Sequence, residues 1–226
     1  MSPDAPDVVE EQPPALTEQA EEILSRLRTA LGDGIVDDGG AYGGLILRVR
    51  RDAWLPAAEA GKGAGECDYL SFISAIDWMP APALADEGSG DTSNPVQPRE
   101  TTYGVTGSEG RFQVFAHLES TQRQRWGVTL KVDVDENDPR LPSWVGVYPG
   151  ADWHERETWE MYGVVFDGHP SLRHLYLPHE FEGNPLRKDY PLLAREVKPW
   201  PGLVDVEPML GDAADAAADA DEASAE

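Results

Sequence analysis

The sequence predicts an α+β fold, in which N-terminal helices cover a mainly antiparallel sheet and an extended, Pro-rich C-terminal arm follows. Two observations lead to this prediction. A helical apolar stripe precedes several segments in which apolar and polar residues alternate, as in half-buried strands. Beyond residue 163 prolines recur too often for a regular element of normal length. We expect a disordered acidic N-terminus over 1–16, an α+β domain over 17–150, a signature helix with its docking arm over 151–204 and a disordered acidic tail over 205–226.

The first helix is predicted to begin after Thr17, a residue type that favours the N-cap position. Its apolar residues share one face by i, i+3, i+4 spacing, and Gly32 is expected to end it. The residues of this stripe are Ala20, Ile23, Leu24, Leu27 and Leu31. We expect that face to pack on the sheet.

Two strands and a short helix are predicted next. Residues 35–36 begin a strand that is expected to end at the turn of residues 37–40, because Asp and Gly favour turns. Residues 42–50 alternate as a half-buried strand, with Leu45, Leu47 and Val49 facing one way. Asp52 is expected to cap a short helix that runs to Ala60.

Three further strands are predicted around a long insertion. Residues 69–78 read as a strand with Leu70, Phe72, Ile76 and Trp78 on one face. Residues 79–110 are rich in Pro, Gly, Ser and acids, which predicts a flexible insertion. Two alternating segments, 112–118 and 126–134, are separated by a short polar connection, which predicts an antiparallel pair.

Composition excludes several classes of protein. The net charge is −24, with seven acids in residues 1–22 and eight in residues 205–226, so nucleic-acid binding is not expected. No apolar run approaches the ~20 residues of a membrane span. The acidic start lacks the basic and apolar regions of a signal peptide, which predicts an intracellular protein. The single cysteine, Cys67, allows no intrachain disulfide and no iron–sulfur cluster held by this chain alone.

Aromatic and charged residues are densest over residues 141–192. Asp152 is predicted to be the N-cap of a helix over residues 153–162, with Glu155 completing a capping box and Gly163 ending the helix. Charges and aromatics alternate around this helix. It is therefore either a solvated helix with internal ion pairs or a helix between the core and a partner, in which Arg156 pairs with carboxylates. The apolar, Pro-interrupted residues beyond it are expected to lie on their own domain or on a partner protein.

Three patterns in this region bear on catalysis. A metal site would draw on His154, His169, His174 and His179, but no HExxH motif is present and prolines separate the histidines. Glu155, Glu157 and Glu160 could act as acid and base, yet we expect Arg156 to keep them ionised in an ion-pair network. The glycines near residue 40 precede a strand and not a helix, so no dinucleotide site is expected.

The signature motifs resemble those of one family, the C subunit of bacterial respiratory complex I, the proton-pumping NADH:quinone oxidoreductase. They comprise Glu155-Arg156-Glu157, Glu160-Met161-Tyr162-Gly163, the segment from Phe166 to Pro170, and the segment from Glu182 to Leu192. Asn184 and Glu160 depart from the family pattern, in which histidine and aspartate are usual. The resemblance marks the following interface or signature residues: Glu155, Arg156, Glu157, Glu160, Tyr162, Gly163, Phe166, Gly168, His169, Pro170, Arg173, Gly183, Pro185, Arg187, Lys188, Asp189, Tyr190 and Pro191.

The resemblance implies a non-redox subunit with a structural and assembly role in the peripheral arm of the complex. Electrons would pass from NADH through FMN and Fe–S clusters in other subunits to quinone, coupled to proton translocation. The expected neighbours are the quinone-cavity subunit, called D, and the Fe–S subunits, called B and I, on the cytoplasmic side of the cell membrane. The acidic tail favours the separate over the fused form. The expected charged contacts are Arg156, Glu157, Arg173, Arg187, Lys188 and Asp189.

Two alternatives remain open from the residues. The first is the homologous subunit of a membrane-bound hydrogenase or of an F420H2 or ferredoxin:quinone oxidoreductase. The second is a free-standing metal-dependent enzyme that uses the histidine cluster.

Overall fold

The computed structural model describes residues 16–41, 44–79, 103–121 and 126–190. Residues 1–15 and 205–226 of the predicted tails, residues 80–102 of the insertion predicted over 79–110, and the arm beyond residue 190 lie outside the described residues. The elements, in chain order, are α1 (Glu18–Leu31), β1 (Ile35–Ala41), β2 (Gly44–Val49), α2 (Trp54–Lys62), β3 (Tyr69–Asp77), β4 (Phe112–Ser120), β5 (Trp126–Val134), β6 (Arg140–Pro142), α3 (Ala151–Tyr162) and β7 (Val165–Asp167).

Five of the strands form one sheet in the order β1-β2-β5-β4-β3. Three pairs of neighbours are antiparallel, and β2 pairs with β5 in parallel. The strands β6 and β7 form a separate parallel pair. One face of the large sheet carries the hydrophobic core, with α1 and α2 packed on it. The predicted α+β class and the antiparallel pair β4–β5 are confirmed.

The first helix has the predicted ends and the predicted buried face. The Thr17 hydroxyl accepts a hydrogen bond from the Ala20 N–H at 3.2 Å, as an N-cap does. Gly32 follows the last turn with φ at +52°, a conformation that glycine adopts without strain. The predicted stripe is buried from Ala20 to Leu27, and Leu31 at its end is half-buried.

The turn predicted at residues 37–40 is wrong. Strand β1 continues through these residues to Ala41 and pairs with β2, with Asp38 opposite Leu47 and Gly39 opposite Ile46. As an edge strand, β1 tolerates charged side chains on its solvent-exposed side. The glycine has a packing reason, because a Cβ on Gly39 would lie 2.6 Å from Val105 Cγ1.

The prediction that Asp52 is the N-cap of the second helix is also wrong. Asp52 lies in a short 3₁₀ turn, and its carboxylate pairs with the Arg50 guanidinium at 2.6 Å. Helix α2 begins at Trp54, and Ala53 stands at the N-cap without a side-chain hydrogen bond. Packing of Trp54 determines where the helix begins, because its ring is fully buried and stacks on Trp144 with ring centroids 4.1 Å apart.

The prediction that Leu70, Phe72, Ile76 and Trp78 share one face of β3 is wrong beyond Leu70. A β-bulge between Leu70 and Phe72 adds one residue to the strand, and the alternation reverses beyond it. The structure therefore buries Ile73 and Ala75 and leaves Phe72 37% exposed. Asp77, at the end of the strand, is buried as well.

Residues 103–110 lie on the other face of the large sheet. The Val105 carbonyl accepts a hydrogen bond from Lys131 Nζ at 2.9 Å. The Asp133 carboxylate accepts hydrogen bonds from the Ser108 hydroxyl at 2.8 Å and from the Gln113 amide at 2.8 Å. Polar contacts to β4 and β5 thus hold the chain that enters β4 against the sheet.

A substitution at Gly61 tests the packing of α2 on the sheet. A Cβ at this position would lie 2.5 Å from Cδ1 of Leu118, whose side chain is fully buried. We expect Gly61→Val to lower the free energy of unfolding by about 2 kcal/mol through overpacking. Urea denaturation measures this change. The matched control is Gly146→Val, where nothing lies within 4 Å of the added Cβ; equal losses in the two variants would contradict the packing.

Candidate functional site

Helix α3 begins at Ala151, earlier than predicted, and Asp152 is not its N-cap. Gly150 stands at the N-cap without a side-chain hydrogen bond. The Asp152 carboxylate lies 3.3 Å from His169 Nε2 instead. The predicted end is confirmed, because Gly163 has φ at +77° and its N–H bonds to the Trp159 carbonyl.

Glu155 lies on the inner face of α3 and is fully buried. Its carboxylate accepts hydrogen bonds from the Trp144 N–H and from the Ser143 hydroxyl, the latter at 2.6 Å. The capping-box prediction is therefore wrong. Burial raises the pKa of Glu155 to about 7, and the nearby Asp152 carboxylate adds to this rise. The expectation that Arg156 keeps this carboxyl ionised is also wrong.

On the outer face of α3, Arg156 binds backbone and not carboxylates. Its guanidinium donates to the carbonyl of Arg173 at 3.1 Å and to that of His174 at 2.9 Å. The Trp153 ring lies against the same guanidinium, with 5.2 Å between the ring centroid and Cζ. The predicted pairing of Arg156 with carboxylates is therefore replaced by a contact to the arm, the segment of residues 163–190.

Glu160 holds the next part of the arm. Its carboxylate accepts hydrogen bonds from the backbone N–H groups of Leu175 at 3.1 Å, Tyr176 at 3.0 Å and Leu177 at 2.7 Å. His174 Nδ1 lies 3.1 Å from it. Burial opposes the charged form of Glu160, but these donors outweigh burial and hold its pKa below the ordinary range.

The last turn of α3 fixes the end of the arm. The Met161 carbonyl accepts the Leu186 N–H at 3.1 Å, and the Tyr162 carbonyl accepts a hydrogen bond from the Arg187 guanidinium. That guanidinium also lies over the Phe112 ring, 4.9 Å from its centroid. The absence of a side chain at Gly163 is required here, because a Cβ would overlap the Arg187 guanidinium.

Asp77 and Arg111 connect the arm to the sheet, and the sequence interpretation missed both. The Asp77 side chain is 1% exposed and accepts the Lys188 N–H at 2.9 Å. Arg111 donates to Asp77 at 3.0 Å and 2.9 Å, and its guanidinium also lies 2.8 Å from the Asp189 carboxylate. The available signal was an acidic residue that ends an otherwise apolar strand.

The remaining signature residues shape the arm. Phe166 is in the core, Tyr162 and Pro185 are half-buried, and Pro170 is exposed. Two glycines have positive φ, Gly168 at +85° and Gly183 at +101°, and a Cβ on Gly183 would lie 2.7 Å from the Tyr190 ring. Glu157 is half-exposed, and Arg173 and Lys188 are exposed. Pro191 lies outside the described residues.

The structure separates the histidines that a metal site would use. The rings of His174 and His179 have centroids 6.2 Å apart, whereas His169 is bound to Asp152 near the start of α3. His154 lies on α3 and is half-exposed. Among the described residues, no group of three His, Cys, Asp or Glu side chains could hold a metal ion. In the same residues, no helix has the length and apolar character needed to cross a membrane.

Together, these contacts define a class of protein: an α+β domain whose third helix binds an irregular C-terminal arm. The chain belongs to the family described as the 30 Kd subunit of the respiratory-chain NADH dehydrogenase, whose sequence profile matches residues 47–196.

Comparisons with individual proteins agree with this family. The C subunit of NADH-quinone oxidoreductase from Roseiflexus sp. (strain RS-1) is 36% identical over 178 residues, which cover 77% of this chain and 86% of the relative. The C/D subunit from Klebsiella pneumoniae is 53% identical over 89 residues, 39% of this chain but 15% of the relative. A chain of an archaeal membrane-bound sulfane sulfur reductase matches with a TM-score of 0.57 over 78% of this chain and 88% of its own length, at 20% identity, which shows the fold alone.

The pKa of Glu155 predicts how stability depends on pH. The folded protein keeps this proton up to about pH 7, whereas the unfolded chain releases it near the ordinary value of 4.5. The stability from this group is therefore complete below pH 4.5 and is lost as pH rises through 7, by up to about 3 kcal/mol. We expect Glu155→Gln to remove this dependence. Urea denaturation of both proteins from about pH 5 to about pH 8 measures it; equal slopes would contradict the assignment.

Substitution of Glu160 tests whether the hydrogen bonds of its carboxylate keep the arm in place. Glu160→Gln places an N–H₂ group against backbone donors and leaves at least one of them unpaired, at a cost of about 1–3 kcal/mol. We expect amide hydrogen exchange of Leu175, Tyr176 and Leu177 to accelerate at least about tenfold. The control is Glu180→Gln, an exposed residue of the same arm. Unchanged exchange in Glu160→Gln would show that the arm is held by other contacts.

Proposed function

We propose that this chain is a non-redox subunit of the peripheral arm of NADH:quinone oxidoreductase. Its role is structural and concerns assembly, beside the quinone-cavity subunit and near the Fe–S subunits called B and I. The enzyme as a whole passes electrons from NADH through FMN and Fe–S clusters to quinone and couples this to proton translocation. This chain holds none of these cofactors and contributes no catalytic residue.

One observation carries this proposal: the signature residues form a support for an extended arm. The contacts of Arg156, Glu160 and Arg187 run to backbone atoms, and such contacts fix a chain path. Family membership and the relatives named C/D subunits support the quinone-cavity subunit as the neighbour of this arm. The chain lies on the cytoplasmic side of the cell membrane and is attached to the membrane only through these partner subunits.

The charged residues proposed from the sequence as partner contacts differ in whether they bind atoms of this chain or are exposed. The polar groups of Arg156, Arg187 and Asp189 bind atoms of this chain. Arg173 and Lys188 are exposed and Glu157 is half-exposed. These three residues remain the proposed charged contacts at the rim of an interface, where charges guide association more than they add affinity.

Recovery of the chain from its own membranes in mild detergent tests the proposal. We expect the tagged full-length chain to bring down the quinone-cavity subunit together with the flavin-bearing NADH-binding subunits, identified by mass spectrometry. The matched control is the untagged strain, processed in the same way. Recovery of a homologue of the quinone-cavity subunit without the NADH-binding subunits would replace the proposal by a related hydrogenase or F420H2 or ferredoxin:quinone oxidoreductase. A chain recovered without these subunits would contradict it.

A further inference from the structure

We propose that Trp153, Tyr176 and Leu186 are the anchors by which this chain binds the quinone-cavity subunit, and that the buried charged residues Arg156 and Glu160 act inside the chain to position them. This inference rests on the function proposed above and adds the surface that makes the contact. It reverses the expectation from the sequence, in which charged residues such as Arg156 and Arg187 make the main contacts.

Beyond Phe166, the arm contributes no residue to the hydrophobic core. None of its half-buried apolar side chains in that range packs against the core either. Hydrogen bonds to its backbone hold the arm in place. An irregular segment that leaves large apolar side chains such as Tyr176 and Leu186 exposed is typical of a surface that a partner covers.

The three anchors are among the most exposed large apolar side chains in the described residues: Tyr176 is 64% exposed, Trp153 60% and Leu186 52%, compared with 53% for Tyr69 on β3. Large exposed aromatic residues are the residue types that most often dominate binding energy at interfaces. Two of the anchors are aromatic residues of this kind, and the third is aliphatic. The pattern favours an interface with a protein partner.

The anchors are attached to α3 at successive places along its length. Trp153 lies on the helix itself, and Arg156 and Glu160 follow it at i+3 and i+7 on the same face. The arm binds further along the helix, with the Tyr176 N–H at the Glu160 carboxylate and the Leu186 N–H at the Met161 carbonyl. From residue 153 to residue 161 the helix rises only about 12 Å, which places the anchors within one interface of ordinary size.

Each anchor is fixed by a neighbouring group of α3. The Trp153 ring lies against the Arg156 guanidinium, the Tyr176 N–H is bound by the Glu160 carboxylate, and the Leu186 N–H is bound by the Met161 carbonyl. Because the backbone at the anchors is already ordered, binding loses less conformational entropy there. The polar signature residues thus prepare an apolar contact.

The quinone-cavity subunit is the partner to which this surface is assigned. In relatives named C/D subunits, the part similar to this chain covers 15% of a longer protein, so the partner part is tethered to it. Fusion in one chain keeps the two parts of those relatives next to each other, which supports the same partner for the surface of this chain. The exposed charges of the arm include both signs, Arg173 and Lys188 as well as Glu180 and Glu182, so net charge alone does not determine recognition.

The test replaces the anchors in the full-length tagged chain and measures how much of the quinone-cavity subunit is recovered from membranes. We expect Trp153→Ala to lower this recovery at least about tenfold, and Tyr176→Ala with Leu186→Ala to do the same. The control variants are Tyr69→Ala and Val36→Ala, which remove exposed apolar side chains on other elements and are expected to leave recovery unchanged.

Thermal unfolding of each purified variant separates lost binding from lost folding. Because the anchor side chains are exposed, we expect these variants to remain folded and to unfold within about 5 °C of the wild-type temperature. Wild-type recovery of the quinone-cavity subunit by the anchor variants would overturn this inference while leaving the proposed function intact. Equal losses in the anchor and control variants would overturn it too. Absence of the quinone-cavity subunit from the wild-type sample would instead overturn the proposed function.

Discussion

The structure of the arm depends on carboxylates that accept backbone N–H groups. Beyond β7 the arm has no helix or strand to pair its backbone donors, and buried or half-buried donors need acceptors. Glu160 supplies acceptors for three consecutive N–H groups, and Asp77 supplies one for Lys188. Because these acceptors lie on α3 and β3, the path of the arm is fixed by the core fold.

Two glutamates on the same helix show how environment sets the role of a carboxylate. Glu155 has two donors and no cationic partner within the described residues, and burial raises its pKa to about 7. Glu160 is also shielded from water, but the N–H groups of the arm hold its pKa below the ordinary range. The first therefore makes the inner packing of α3 sensitive to pH near neutrality, while the second stays charged and keeps the arm in place.

The sequence predicted those parts of the fold that depend on local pattern. The stripe and caps of α1, the alternation of β4 and β5 and the end of α3 at Gly163 follow from periodicity and from glycine conformation. The reversal of faces in β3 arises from a bulge, and the use of Arg156 arises from carbonyls distant in sequence. Neither leaves a local pattern, because both depend on tertiary contacts.

The same reasoning explains why a motif dense in charge can serve an apolar contact. A guanidinium that donates to two carbonyls of its own chain and is buried, as that of Arg156 is, has little exposed surface for a partner. Leaving a neighbouring ring such as Trp153 exposed is unfavourable for an isolated chain, and burying it against another protein recovers that free energy. Polar residues that fix the backbone and aromatic residues that remain exposed are therefore complementary parts of one surface, ordered before the partner binds.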